Sequence, residues 1–370
     1  MHIQDQISSD QLTQALAIRD LTDPAGGGHA VQLIVDALEQ RLSQRWDIPV
    51  RRHCGSRIVD VVDNYDRLRY QADDVTRSRR YTRYVGEGRM LRSHTTAHLP
   101  GLLAGASVDT PLSVPGMCYR RDVIDRHHVA EPHQHDLWRV RPAGPPLTES
   151  DLTGMVGAVV DLIAPGSRWH TPASPHPYTM GGREILVEVD GADVEIGECG
   201  LIHPDVLGAA GLGTGASGLA MGLGLDRLLM IVKGIPDIRL LRAVDPRIEA
   251  QMHDLAAYVP VSTMPPIRRD LSIAVRDPDP ELLGDRVREQ LGPAGGVIEA
   301  IDVIAATPYD QLPDGARTRM GMRPGDHNLL LRLHLRDHEA TLTDARANAI
   351  RDRVYAGLHE GSAGEWVASN

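Results

Sequence analysis

Residues 119–136 read YRRDVIDRHHVAEPHQHD and set three arginines, three aspartates and four histidines close together. Such a stretch has three readings. Arginines are most often solvated surface residues. A run holding His127, His128, His133 and His135 can suggest a metal site. An arginine with a rigid planar fork can also hold a phosphate bidentately. The metal reading is weak, because no Cys-x-x-Cys pair accompanies the histidines, and Cys54, Cys118 and Cys199 are too scattered for a zinc framework. Buried free thiols are the expected state of Cys118 and of Cys199, the latter read as part of a Glu-Cys-Gly turn. About a hundred residues on, Gly222-Leu223-Gly224-Leu225-Asp226-Arg227 closes a small-residue run and opens an apolar stretch through Ile231. That pattern predicts a glycine-permitted close approach followed by a helix.

Tyr119-Arg120-Arg121-Asp122 resembles the arginine motif of class II aminoacyl-tRNA synthetases, and Gly222 to Arg227 resembles the later motif whose arginine lies against ATP. Spacing narrows the resemblance to phenylalanyl-tRNA synthetases: His128, Gln134 and Asp136 fall eight, fourteen and sixteen residues after Arg120. Further matches run in order, from Asn64-Tyr65-Asp66-Arg67-Leu68 through Arg92-Ser93-His94-Thr95-Thr96 to Gly234-Ile235-Pro236-Asp237-Ile238-Arg239.

The resemblance implies ATP-dependent activation of an amino acid as its adenylate, with transfer to tRNA and with Mg2+ as cofactor. Arg120 would hold the α-phosphate, Asp122 and His128 would organise the nucleotide, and Arg227 would lie at the outer side of ATP. Glu195 matches an acidic family position and is the candidate magnesium ligand. Gln134 and Asp136 would receive the α-ammonium group, with His94 and Thr96 near the substrate carboxylate. Where family members carry a Phe-Pro-Phe clamp, this chain has His176-Pro177-Tyr178-Thr179. Ala220 keeps the small residue expected under the substrate ring, Met221 replaces a neighbouring aromatic, and His133 stands where an aromatic is customary. Asp136 and Thr96 replace glutamate and serine. The pocket thus reads as more polar, suited to a related or modified aromatic amino acid. An alternative is a paralogue that loads a carrier protein or small molecule; a catalytically silent RNA-binding or regulatory module is a third reading.

The chain of 370 residues, 42% hydrophobic, exceeds one ordinary core. The expected fold class is α+β: a class II antiparallel sheet flanked by helices over residues 1–258, with 1–60 poorly matched, and a C-terminal ferredoxin-like domain. The proline-marked 259–266 reads as a linker. Beyond it the patterns predict a strand to Val275, a helix Glu281 to Leu291, strands Val297 to Ala305 and Asn328 to Leu335, and a helix from Thr343 to about His359. Residues 267–365 resemble the anticodon-binding domain of single-chain, mitochondrial-type members, which implies a monomer or homodimer without an editing domain. Arg268 and Arg269 are the candidate tRNA contacts, although the formal charge of −11 gives no global basic surface. No eighteen-residue apolar run appears and MHIQDQISSD has no basic or apolar leader character, so the expectation is a cytoplasmic protein without membrane contact. The chain contains no phenylalanine, where about a dozen are expected. Translation under a shortage of phenylalanyl-tRNA, or recoding, would each leave that trace.

Overall fold

Helix α1 (Ser9–Ala17) starts at a capping box in which Ser8 and Gln11 satisfy one another's backbone N–H groups. The computed structural model describes residues 6–261, 265–338 and 340–364. They form two units: 1–120 with 131–235 and 250–258, and 121–130 with 236–249 and 259–370. The last change of unit falls between Tyr258 and Val259, and part of the expected linker, 262–264, lies outside the described residues. So do residues 1–5 of the segment read for a leader, and residue 365 at the expected end of the second domain.

The first unit is built on a seven-stranded sheet. Its strands are β1 (Arg51–Arg52), β2 (Thr110–Met117), β3 (His133–Arg141), β4 (Trp169–His170), β5 (Thr179–Val189), β6 (Ala192–Ile202) and β7 (Ser217–Gly224), in the order β1-β2-β3-β7-β6-β5-β4. Only the short β1–β2 pair is parallel. The strand β6 approaches β7 so closely that a Cβ on Gly197 would lie 2.1 Å from the Gly222 carbonyl oxygen, and only glycine fits. This unit also holds α2 (Ala30–Trp46), α3 (Glu149–Ile163) and α4 (Leu225–Lys233). Thr148 and Asp151 cap α3, and Gly234, with φ 65°, ends α4 in the left-handed conformation that glycine adopts without strain. Cys199 lies within β6 and not in a turn, because the sequence around it continues the β ladder on both sides.

The second unit runs strand, helix, strand, strand, helix: β8 (Ile267–Val275), α5 (Pro280–Leu291), β9 (Ile298–Pro308), β10 (His327–Leu335) and α6 (Asp344–Leu358). Strand β10 lies between β8 and β9 and is antiparallel to both, the split βαβ arrangement. Alternate residues Leu329, Leu331, Leu333 and Leu335 pack on Leu283 and Val287 of α5 and on Ile350, Val354 and Leu358 of α6. Thr343 caps α6 through its hydroxyl, as its sequence position predicts. The segment 121–130 belongs to this unit through backbone contacts: Ile301 N donates to Ile124 O at 3.0 Å, and Arg288 donates to the carbonyls of Asp122 and Val123 at 2.6 and 2.7 Å.

Candidate active site: a polar face of the central sheet

Residues directly opposite in neighbouring strands share a face. Asp136 on β3 stands opposite Gly222 on β7, Gly222 opposite Glu198 on β6, and Glu198 opposite Glu184 on β5. The next row on that face runs Trp138, Ala220, Gly200. The strand period also puts Gln134 with Asp136 and Trp138. A strip floored by Gly222 and Ala220 is therefore flanked by carboxylates and one large aromatic ring.

Asp136 is 2% exposed and accepts three hydrogen bonds, from Thr95 at 2.6 Å, Thr96 at 2.9 Å and Trp138 Nε1 at 3.1 Å. Burial pushes its pKa up to about 6; the three donors pull the other way, and the charge of Glu198 adds to the rise. The His94 ring stacks on Tyr70, with centroids 5.9 Å apart, and its Nε2 faces Asn64 at 3.4 Å. Its Nδ1 is buried without a partner among the described residues. Burial, then the nearby Arg120 charge, lowers this imidazole to about 3, so it is neutral at pH 7.

Arg120 donates from Nε to Ser93 O at 2.8 Å, and its charge acts on His94, Tyr178 and Glu198. Among the described residues no carboxylate pairs with it. Tyr178 stacks on Trp138 at 5.8 Å, and His176 leans on Tyr178 at 5.9 Å with its Nε2 against Glu198 Oε2. Burial raises the Glu198 pKa, Arg120 opposes this, and Glu195 and Glu184 reinforce it.

The structure thus brings together Arg120, His94, Thr96, Gln134, Asp136, His176, Tyr178 and Ala220. Arg227, in the first turn of α4, donates to Glu195 O at 2.8 Å and lies 3.6 Å from Glu195 Oε2. Asp122 and His128 belong to the second unit. There His128 Nδ1 sits 2.8 Å from Asp125 Oδ2, and Asp122 and His128 act electrostatically on Glu281. Arg268 is exposed on β8, whereas Arg269 is tied to Asp344 and Asn348 of α6.

Two expected pocket residues face away. His133 lies on the opposite side of β3 from Asp136, fully buried, with Nδ1 2.7 Å from Asp226 and Nε2 accepting from Leu21 N at 3.0 Å. Met221 alternates with Ala220 and Gly222 and so also leaves the strip. The sequence reading passed over Glu198, Thr95, Tyr70 and Trp138. Thr95 adjoins residues already singled out; no local signal marks Glu198 or Tyr70.

Residues 18–252 match the family described as tRNA synthetases class II core domain (F), and the chain belongs to that family. Relatives that it resembles are phenylalanine–tRNA ligases. A probable mitochondrial phenylalanine–tRNA ligase of Drosophila melanogaster is 27% identical over 355 residues, covering 80% of this chain and 74% of that protein. The phenylalanine–tRNA ligase alpha subunit of Prochlorococcus marinus is 31% identical over 232 residues, 62% of this chain and 68% of that one. A mitochondrial phenylalanine–tRNA ligase of Dictyostelium discoideum is 30% identical over 226 residues, covering 52% of this chain, which spans 48% of that protein. These relatives overturn the expectation of a cytoplasmic protein, since two of them are mitochondrial enzymes. Among the described residues no helix is long and apolar enough to cross a membrane.

Proposed function

We propose that this chain activates an aromatic amino acid with ATP on the glycine-floored strip and passes the aminoacyl group to tRNA. It is a ligase of aminoacyl-tRNA synthesis, of the phenylalanyl type. One observation carries the placement of the chemistry: Arg120 is fixed through Nε to Ser93 O, while no carboxylate among the described residues takes its terminal nitrogens. A half-buried guanidinium without a protein anion suits a ligand anion, here the α-phosphate.

The substrate carboxylate is already ionised at neutral pH, so no general base is needed. Its oxygen attacks the α-phosphorus, the bond from that phosphorus to the bridging oxygen breaks, and pyrophosphate leaves with the electron pair. Arg120 stabilises the charge that spreads over the α-phosphate, and alignment supplies much of the rest. Gln134 and Asp136 take the α-ammonium group, with Thr95 and Thr96 holding the Asp136 carboxylate in place. Arg227 serves the nucleotide at its outer side.

Glu195 is the residue to hold magnesium, since its side chain is half exposed and Glu198 lies within electrostatic range of it. Among the described residues no three donor side chains converge, which suits an ion that takes most of its shell from phosphates and water. Bound there, magnesium would supply positive charge against the phosphates of ATP. Arg268 is the exposed candidate for tRNA; Arg269 holds β8 to α6.

Amino-acid-dependent ATP–pyrophosphate exchange tests this reading. Arg120→Ala is expected to lower exchange by about 10²- to 10³-fold with the fold intact by circular dichroism. Full exchange in that variant would refute the site.

A further inference from the structure

Glu198 stands two strands from Asp136 with only Gly222 between them. Neighbouring strands are about 4.8 Å apart, so the two backbones are roughly 10 Å apart. A Cβ on Gly222 would already lie 3.8 Å from Asp136 Oδ1, and its absence leaves the strip open for a ligand. An amino acid lying across it meets a carboxylate on each side.

The two carboxylates differ in what they already hold. Both oxygens of Asp136 accept hydrogen bonds from Thr95, Thr96 and Trp138. Glu198 meets His176 through Oε2, and its Oε1 has no partner among the described residues. The neighbouring wall is the Trp138–Tyr178 stack, which shares an apolar cluster with Ala220 and offers a flat apolar surface. A buried unsatisfied group belongs to this face: His94 is 9% exposed, and its Nδ1 lacks a partner among the described residues. Buried polar atoms are normally satisfied, and a group left open at a binding face is one a ligand can complete.

We propose that Glu198, backed by His176, selects an aromatic amino acid whose side chain carries a hydrogen-bond donor, a hydroxyl or an amino group. An ionised carboxylate only accepts hydrogen bonds. Unsubstituted phenylalanine offers it no donor beyond the α-ammonium group, which Gln134 and Asp136 receive. Binding phenylalanine therefore desolvates Glu198 without return, while a donor-bearing ring completes it. Fully buried sites of this kind discriminate by about 10⁴-fold. Glu198 is about one third exposed on its side chain, which reduces the expected preference to about 10- to 100-fold.

This inference rests on the amino-acid activation proposed above, and its test separates the two. ATP–pyrophosphate exchange is measured as kcat/KM for phenylalanine, tyrosine, 3-hydroxyphenylalanine, 3- and 4-aminophenylalanine and β-hydroxyphenylalanine, in the wild-type chain, Glu198→Gln and Glu198→Gly. The wild type should prefer at least one donor-bearing compound over phenylalanine by 10-fold or more. Glu198→Gln should shrink that preference, and Glu198→Gly should reverse it by admitting phenylalanine. Melting curves of both variants check the fold, and the glutamine variant preserves side-chain volume. Wild-type exchange with phenylalanine at least as fast as with every donor-bearing compound overturns the selection while upholding activation. Equal losses for all substrates in both folded variants overturn it too, by making Glu198 an α-ammonium acceptor. Exchange with no compound in a folded wild-type chain overturns the activation reading, and the selection with it.

Discussion

Asp136→Asn is expected to make the protein more stable and less active, because the fold keeps a charge where packing would prefer none. Asp136 is 2% exposed, and its pKa is pushed up to about 6 by burial, from an ordinary 3.8. The sign follows from linkage. Below about pH 4 the carboxyl is protonated in folded and unfolded chains alike, and no penalty exists. Between about 4 and 6 the unfolded chain loses its proton first, so rising pH erodes stability. Above 6 the full penalty applies: the gap between about 6 and 3.8, at about 1.4 kcal/mol per pH unit, comes to roughly 3 kcal/mol. Asparagine fits the same contacts. Its oxygen can accept from Thr96 and Trp138, and its amide can donate to Thr95, whose hydroxyl turns to accept. Urea denaturation of both proteins at pH 4.5 and pH 8 isolates the group, since the other carboxylates titrate alike in each. The variant should gain about 2–3 kcal/mol at pH 8 and much less at pH 4.5, while its KM for the amino acid rises at least 10-fold for want of a counter-charge. A variant less stable at pH 8, or a difference independent of pH, would refute the reasoning.

Two further outcomes follow from the same face and its reverse side. Ala220→Val puts two more methyl groups into a slot where Ala220 is 2% exposed beside Trp138. Its KM for aromatic amino acids should rise about 10-fold with the KM for ATP unchanged, and steady-state exchange kinetics that show both rising together would remove Ala220 from the slot. His133→Ala removes a fully buried ring from the Asp226 carboxylate; it should cost about 3 kcal/mol of stability by chemical denaturation, and a loss below about 1 kcal/mol would mean that the contact is incidental.

What could be read from the chain beforehand was whatever a short stretch encodes. Asn328 to Leu335 read as a strand, and its alternate leucines from Leu329 to Leu335 form the buried face of β10. Thr343 announced its helix as a side-chain cap does. A period of two says which residues share a face, but not which face meets the ligand, so His133 was taken for a pocket wall although it bonds Asp226 on the far side. Glu198 went unread for a related reason. Flanked by Gly197 and Cys199 it resembled a turn, and its value emerges only when three strands distant in sequence fix a register that sets it opposite Gly222 and two strands from Asp136. Likewise nothing local in Asp122 to Ala130 signals that these residues join the second unit, because the partners Arg288 and Ile301 lie far along the chain.

That membership bears on how far the protein is modular. The chain passes between its two units five times, after residues 120, 130, 235, 249 and 258. No single cut therefore yields either unit whole. A gene truncated after Tyr258 would still encode 121–130 and 236–249 but would lack the strand and helix that receive Ile124 O, Asp122 O and Val123 O. Grafting residues 259–364 onto another enzyme would carry across a unit missing two of its three pieces. What looks in the linear sequence like a removable tail is sewn in from the interior, so neither part could be traded, lost or acquired without rewriting the other.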